Sequence, residues 1–345
     1  MLPIFAVRIR IARLLAVVGP VEGLRCGENI TEVTGQCHLM ITKNPEEFLT
    51  TYGGGKRSCS ESPPTLRAAL LVSPTGFRIS EQSASDNHYM STAAAVDHGR
   101  AHAQHAGLVA KLEDLGIPVL LFPGRPGLDD GVFPNNAFAT TPGKLLLGAM
   151  RHTVRQAETQ REDIRTLFRD AFRYKICDLS ALDGVAELTG PLVIDRARRL
   201  GFCGLGSRAD AKGCEAMHQA FGLDLTLGFD LQPTEYHANL VLAILAGRFC
   251  VIHPESFLDP DVPETIARVY PGHTLVLSNE EKQAFAGNCI AVTESDVLFS
   301  ATALKSLRAS SRDALERAEF RVHEVPVDEL EKGGGSLRCL IAEIF

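Results

Sequence analysis

From Arg67 to the carboxyl end the chain keeps switching between short apolar runs and amphipathic helical stretches, and this alternation restricts the fold more than any other feature. AALLVSP, beginning at Ala68, reads as a strand, VDHGRAHAQHAGLVAKLEDLG as a helix closed by Gly116, and IPVLLF as the next strand. KLLLGAM, a charged helix from Arg155 to Tyr174, PLVID, RLGFCGL, a helix over 211–221, LVLAILAGRFCVI, CIAVTESDVLFS and a final strand RCLIAEI continue the pattern. Turns as tight as TPGK and AGR fold neighbouring strands into hairpins, which suits α+β or mixed α/β better than a purely parallel sheet. Residues 67–345 divide into about five segments of roughly 55 residues, each long enough for a ββαβ unit. A fivefold repeat is compatible with that arithmetic, although the segments share little sequence.

Residues 1–66 differ in texture. They mix short apolar pieces with Gly, Ser, Pro and charge and end in TTYGGGKRSCSESPPT, so they are expected to form an N-terminal extension, with one catalytic domain over 67–345. Arg8, Arg10 and Arg13 interrupt the apolar start, which excludes a spanning helix there; a transit peptide, a secretory signal and an uninformative extension are the readings of this start, and the expected location is cytoplasmic, or mitochondrial if the extension is a transit peptide. The Asn29-Ile30-Thr31 sequon matters only in a secreted chain. Nine cysteines, an odd number without a CxxC pair, read as reduced thiols. With 45% apolar and 22% charged residues the chain can build a sizeable core. A net charge of −7 removes the attraction to phosphate backbones on which nucleic-acid binders rely, so a small molecule is the expected partner, with neither nucleic acid nor membrane. A homo-oligomer is left open.

Four elements can carry chemistry. In GGGSLRC, at 333–339, three glycines permit positive φ and close backbone approach just before Cys339, whose thiol would react as a thiolate if Arg338, a histidine or a cationic substrate lowered its pKa. In TEYHANLVLAI, His237 stands ahead of an apolar run, with Asn239 two residues on and therefore expected on the same strand face. In AELTGPLVIDR, Glu187 precedes a glycine-containing turn and could hold substrate N–H groups or orient His237. In VFPNNAFAT, Pro134 stiffens the entry to two amides that both donate and accept. Each has an ordinary structural explanation when taken alone: a turn feeding a buried cysteine, a satisfied histidine, a surface glutamate, an Asn-rich turn.

Taken together and in this order, FPNN at 133–136, Glu187 with Thr189-Gly190, SRAD at 207–210, His237 with Asn239 and the terminal GGGSLRC resemble the guanidino-group-modifying superfamily of arginine deiminases, dimethylarginine dimethylaminohydrolases and amidinotransferases. The resemblance is nearest to citrulline hydrolase-type members and covers about residues 67–345. It implies a five-bladed α/β propeller of ββαβ modules, pentein-type, with the site on its axis and no cofactor or metal. It also implies Cys339 as nucleophile, His237 as general acid and base, Glu187 as the carboxylate holding substrate nitrogens, and Arg208 and Arg155 as holders of the substrate's carboxylate. Deiminases and dimethylarginine hydrolases place aspartates where this chain has Asn136 and Asn239. A carboxylate pairs with a guanidinium cation through charge-assisted bonds, whereas an amide matches a neutral ureido group, so the expected reaction is cleavage of the ureido C–N bond of a citrulline-like amino acid.

Two enzyme alternatives act on arginine-like guanidino substrates, an amidinotransferase and a deiminase or dimethylaminohydrolase. An alternative of another class is a non-catalytic binding protein on the same propeller, which would not need a Cys, His and Glu set. Ala137 departs from the tryptophan usual after FPNN in the citrulline branch, and the chain has no tryptophan at all, so the pocket is expected to be looser there. His98, His102 and His105 fall on one face of a helix as metal ligands can, but without a neighbouring carboxylate or thiol they read as an ordinary helix face. GGGK at 53–56 lacks the spacing of a phosphate loop.

Overall fold

The computed structural model describes residues 40–54, 62–90 and 95–345. The arginine-rich start, the Asn29 sequon, Cys26, Cys37, Cys59 and the end of GGGK lie outside the described residues.

Among the described residues, five small sheets of one pattern account for the strands. Two antiparallel strands, joined by a hairpin in four of the five, are followed by a helix that carries the chain to a third strand parallel to the second. The first complete unit joins β4 (Phe138–Thr141), β5 (Lys144–Leu147) and β6 (Lys175–Asp178). The second joins β7 (Leu192–Asp195), β8 (Leu200–Leu205) and β9 (Leu225–Asp230), the third β10 (Leu242–Leu245), β11 (Phe249–Ile252) and β12 (Thr274–Val276). The fourth joins β13 (Ile290–Ala291), β14 (Asp296–Ser300) and β15 (Arg321–Val325). The fifth is shared by the two ends of the domain: β16 (Ala342–Ile344) runs antiparallel to β2 (Ala68–Val72), which is parallel to β3 (Val119–Phe122). Pairing Ala342 with Leu70 and Ile344 with Ala68 ties the carboxyl end to the start of the repeat, so the ring of five blades closes as the resemblance implies.

Local sequence explains the hairpins. Gly143 in TPGK (φ 73°), and Ala246 and Gly247 in AGR (φ 50° and 64°), take the left-handed conformation that two-residue turns demand. The crossover helices bury one face and expose the other: helix Ala211–Phe221 buries Cys214, Met217 and Phe221, is capped by the Asp210 carboxylate accepting from Gly213 N, and ends at Gly222 with φ 65°. Clusters of apolar side chains fill the spaces between blades, so each sheet is buried through its neighbours.

Three expectations change. The stretch before Arg67 is not wholly an appendage, because β1 (Met40–Thr42) adds a fourth strand parallel to β9 and helix Pro45–Gly54 drives Phe48 into the core against Phe202. The helix expected over Arg155–Tyr174 is broken into Thr153–Thr159, Glu162–Thr166 and a wide turn over Leu167–Ala171. An unbroken helix would hold Arg155 and Glu158 about 130° around its axis from Ile164 and Phe168, and the break lets both pairs be buried. RCLIAEI is not one strand, since Leu337–Leu340 forms a single helical turn ahead of β16.

Candidate active site

Each blade's first strand is entered through a tight turn, and the five turns meet around the axis. They hold Pro134–Asn136 before β4, Thr189 and Gly190 before β7, Ala238–Leu240 before β10, Ala286–Asn288 before β13, and Leu337–Leu340 before β16. Hydrogen bonds link the turns in series. Thr189 Oγ1 donates to Asn135 O (3.1 Å), Asn239 N to Gly190 O (3.0 Å), Asn288 Nδ2 to Asn239 O (2.8 Å), and Ser336 N to Asn288 Oδ1 (3.1 Å). Buried backbone groups that the short sheets leave unpaired are satisfied by these amides, which makes the ring stiff.

Cys339 lies in the fifth turn and is 2% exposed. Its sulfur is approached by the side-chain amides of Asn288 (3.4 Å) and Asn239 (3.7 Å), the latter also donating to Thr189 O (3.0 Å). Gly335 packs so tightly against it that a methyl there would meet the Cys339 side chain at 3.0–3.2 Å, while Gly334 has φ 77°. The glycine run therefore does what the sequence suggested, but Cys339 sits on a helical turn rather than at a strand mouth. Nor is its thiol made acidic: burial pushes the pKa up, and donation from Asn288, with smaller help from the Ser336 backbone, Arg338 and Asn239, only partly offsets it. The Arg338 guanidinium points elsewhere, donating to Glu343 (2.7 Å) and to Ile341 O.

His237 and Asn239 do not share a strand face. His237 is extended at the head of the 3-10 turn and Asn239 lies within that turn, so the two side chains diverge, His237 toward Glu187 and Asn239 toward Cys339. His237 Nε2 is 3.0 Å from Glu187 Oε2, while its Nδ1 has no partner and faces Gly190. A Cβ at Gly190 would lie 2.6–2.7 Å from both His237 and Asn136 Oδ1, so only glycine fits between them. Burial pushes the His237 pKa down to about 4, and Arg208 and Arg155 push the same way against the pull of Glu187, so the imidazole rests neutral.

Glu187 is fully buried, and its oxygens are taken up by His237, Arg208 Nη1 (3.1 Å) and Arg151 N (3.2 Å). Burial alone would raise its pKa, yet Arg208, His237 and Arg155 together hold it well below the usual carboxylate range. It does not line the cavity, so the geometry suits the orienting of His237 rather than the holding of substrate nitrogens. Arg208 also grips Asp86 through Nη2 (2.5 Å) and Nε (3.2 Å), and Arg155 is locked in a two-pronged pair with Glu158 (2.9 Å at both prongs).

Cys339, Asn136, Arg155, Arg208 and Tyr236 line one cavity of about 20 Å³, covered by Ser83, Asn87 and Met90 from the segment after β2. That volume holds one or two waters. All seven residues singled out from the sequence thus fall on this cavity or on its immediate support. Asn288, Asp86, Asp130 and Glu158 were missed. GNCIAVT repeats the Asn-before-strand pattern of PNNAFAT and could have revealed Asn288, whereas the carboxylates carried no local signal. On the helix His98–Asp114, His98 and His102 are exposed and His105 is buried, and among the described residues no group of His, Cys, Asp and Glu could hold a metal. No helix among them is long and apolar enough to cross a membrane.

A ring of five ββαβ blades with a cysteine, a histidine and amides on its axis defines the guanidino-modifying, pentein-type superfamily. A family model described as "N,N dimethylarginine dimethylhydrolase, eukaryotic" matches residues 73–345, and the chain belongs to that family, whose relatives are hydrolases of guanidino C–N bonds. It is 25% identical over 282 residues to the uncharacterized protein ZK1307.1 of Caenorhabditis elegans, covering 81% of this chain and 94% of that one. It is 24% identical to the bifunctional arginine dihydrolase/ornithine cyclodeaminase AgrE of Nostoc, over 71% of this chain but 33% of AgrE. Among solved structures, the substrate-bound N-terminal domain of the cyanobacterial arginine dihydrolase ArgZ superposes with a TM-score of 0.70 at 20% identity, over 80% of this chain and 97% of that domain.

Proposed function

We propose that the protein hydrolyses the ureido C–N bond of a citrulline-like amino acid through a covalent intermediate on Cys339. The observation that carries this reading is the uncharged pair Asn136 and Asn239, the first on the cavity and the second at the sulfur, while the one carboxylate among the cavity's lining residues, Asp130, is bonded to Ser83 and pushed toward its neutral form by burial. Both the thiol and His237 are neutral at rest, so His237 takes the thiol proton and Glu187, 3.0 Å away, stabilises the resulting imidazolium. Sulfur attacks the ureido carbon and the bond to the side-chain nitrogen breaks. His237 returns the proton to that nitrogen, releasing ornithine from citrulline and leaving a carbamoyl group on sulfur. Water, activated by the again neutral His237, then frees the cysteine as ammonia and carbon dioxide are released. Since the cavity is far smaller than an amino acid, the cover carrying Asn87 and Met90 must move aside for binding, and Arg208 exchanges Asp86 for the substrate's carboxylate.

A second reading, cleavage of a guanidino substrate at the same thiol, is favoured by the raised Cys339 pKa: a guanidinium placed beside the sulfur would draw the thiol toward thiolate, and a neutral ureido group would not. Incubating the chain with citrulline and with arginine, and measuring ammonia, citrulline and ornithine, separates the two. Ornithine and ammonia from citrulline are expected, with loss of turnover in Cys339→Ser. Ammonia from arginine alone, with citrulline accumulating, would overturn the ureido reading. Unchanged turnover in Cys339→Ser would overturn both.

A further inference from the structure

The axis carries a second cavity, at the other end of the strands that leave the active site. β7 and β10 follow the turns that hold Gly190 and Asn239 and run to the hairpin ends where Arg196 and Ala246 sit. There the chain encloses about 40 Å³, bounded by Arg196, Ala243 and Glu343 and reaching up to Thr189, Asn239 and Arg338 behind Cys339. Arg196 is 7% exposed, yet among the described residues no carboxylate, carbonyl or hydroxyl accepts a hydrogen bond from it. Its guanidinium instead lies on the Phe345 ring (4.0 Å) and near that of Phe221 (5.2 Å), which leaves its N–H edges without acceptors. Burial, with smaller help from Arg338, pushes its pKa down to about 10; Glu343 pulls the other way but is already bonded to Arg338 at 2.7 Å. Two guanidiniums and one carboxylate give the cavity one positive charge in excess. A volume of 40 Å³ takes about three water-sized groups, and a largely buried guanidinium fork without a protein acceptor matches the two oxygens of a planar anion.

We propose that this rear cavity binds one small planar monoanion, of the size of formate or bicarbonate, on Arg196. The site is separate from the hydrolytic cavity, and its occupancy is measurable without any substrate. Titrating the full chain with ¹³C-formate at constant ionic strength, and following line broadening of the formate resonance, is expected to show saturable binding of one formate per chain, displaced by bicarbonate. Sulfate, a larger dianion, is expected to leave it in place. Arg196→Met keeps the stacked stem and removes the fork, and should weaken binding by about tenfold or more. Ala243→Leu, which fills the cavity with Arg196 intact, should do the same and serves if the first variant does not fold. Binding that does not saturate, binding unchanged in either variant, or equal displacement by sulfate would overturn the proposal, whatever the fate of the hydrolase reading.

Discussion

The two ends of the propeller axis are built from opposite ends of the same inner strands but treat buried charge in opposite ways. At the front, Glu187, Arg208, Asp86, Arg155 and Glu158 form a network in which each charged side chain has at least one oppositely charged partner within hydrogen-bonding distance. At the rear, Arg196 is buried without such a bond. Internal pairing fixes a group in place, so the front charges can hold His237 at one angle and in one protonation state. A cation left unpaired keeps its binding capacity for something from outside.

The comparison is broken most severely by cutting the front network at its centre. Glu187→Gln removes the charge that faces both Arg208 and His237 and leaves a guanidinium buried with one partner fewer, so the expected loss is about 3–5 kcal/mol of folding stability. Turnover should fall by about 10²–10⁴-fold, because the imidazolium formed during reaction loses its counter-charge. Urea denaturation and steady-state ammonia release check the two parts. A loss below about 1 kcal/mol would mean that the network is no more integrated than a surface pair.

Acid should act on the front network next. His237 and the remote His105 are both held near 4 by burial, against an ordinary value near 6.5. Between those values the unfolded chain binds protons that the folded chain refuses, so stability falls as pH drops from about 6.5 toward 4, by about 3 kcal/mol for each histidine over the whole window. His105→Gln should remove about half of this slope without touching turnover at neutral pH. An unchanged slope in that variant would show that His105 titrates normally.

Gly190→Ala tests the tightness of the front more locally. The added methyl overlaps both His237 and Asn136 Oδ1, so either side chain must shift, with a stability cost of about 1–3 kcal/mol and a fall in kcat of about a hundredfold. Wild-type kcat in this variant would show that the imidazole has slack.

How much of this was legible in the sequence follows the range of the interactions. The strand–helix alternation, the hairpin turns at TPGK and AGR and the glycines beside Cys339 are set by residues within a few positions of one another, and they were readable. The partners of Arg208 and Arg155 were not: Asp86 is 122 residues from Arg208, and Glu158, although three residues from Arg155, looks like an ordinary i,i+3 surface pair until the helix is seen to break and turn inward. The docking of Phe48 is hidden for the same reason, since nothing in its breaker-rich surroundings announces that a helix there packs against Phe202.

The smallest effect, and the most discriminating, is expected at the rear. If Arg196 is a largely buried, unpaired cation that folding tolerates rather than needs, Arg196→Met should raise stability by about 1 kcal/mol in anion-free buffer, the reverse of Glu187→Gln. Adding formate should stabilise the wild type through binding to the native state and leave the variant unmoved, so the two denaturation midpoints converge as formate rises. Midpoints that fall together with Glu187→Gln in sign would mean that Arg196 is held by contacts as favourable as those at the front, and the contrast between the two ends of the axis would then be one of geometry alone.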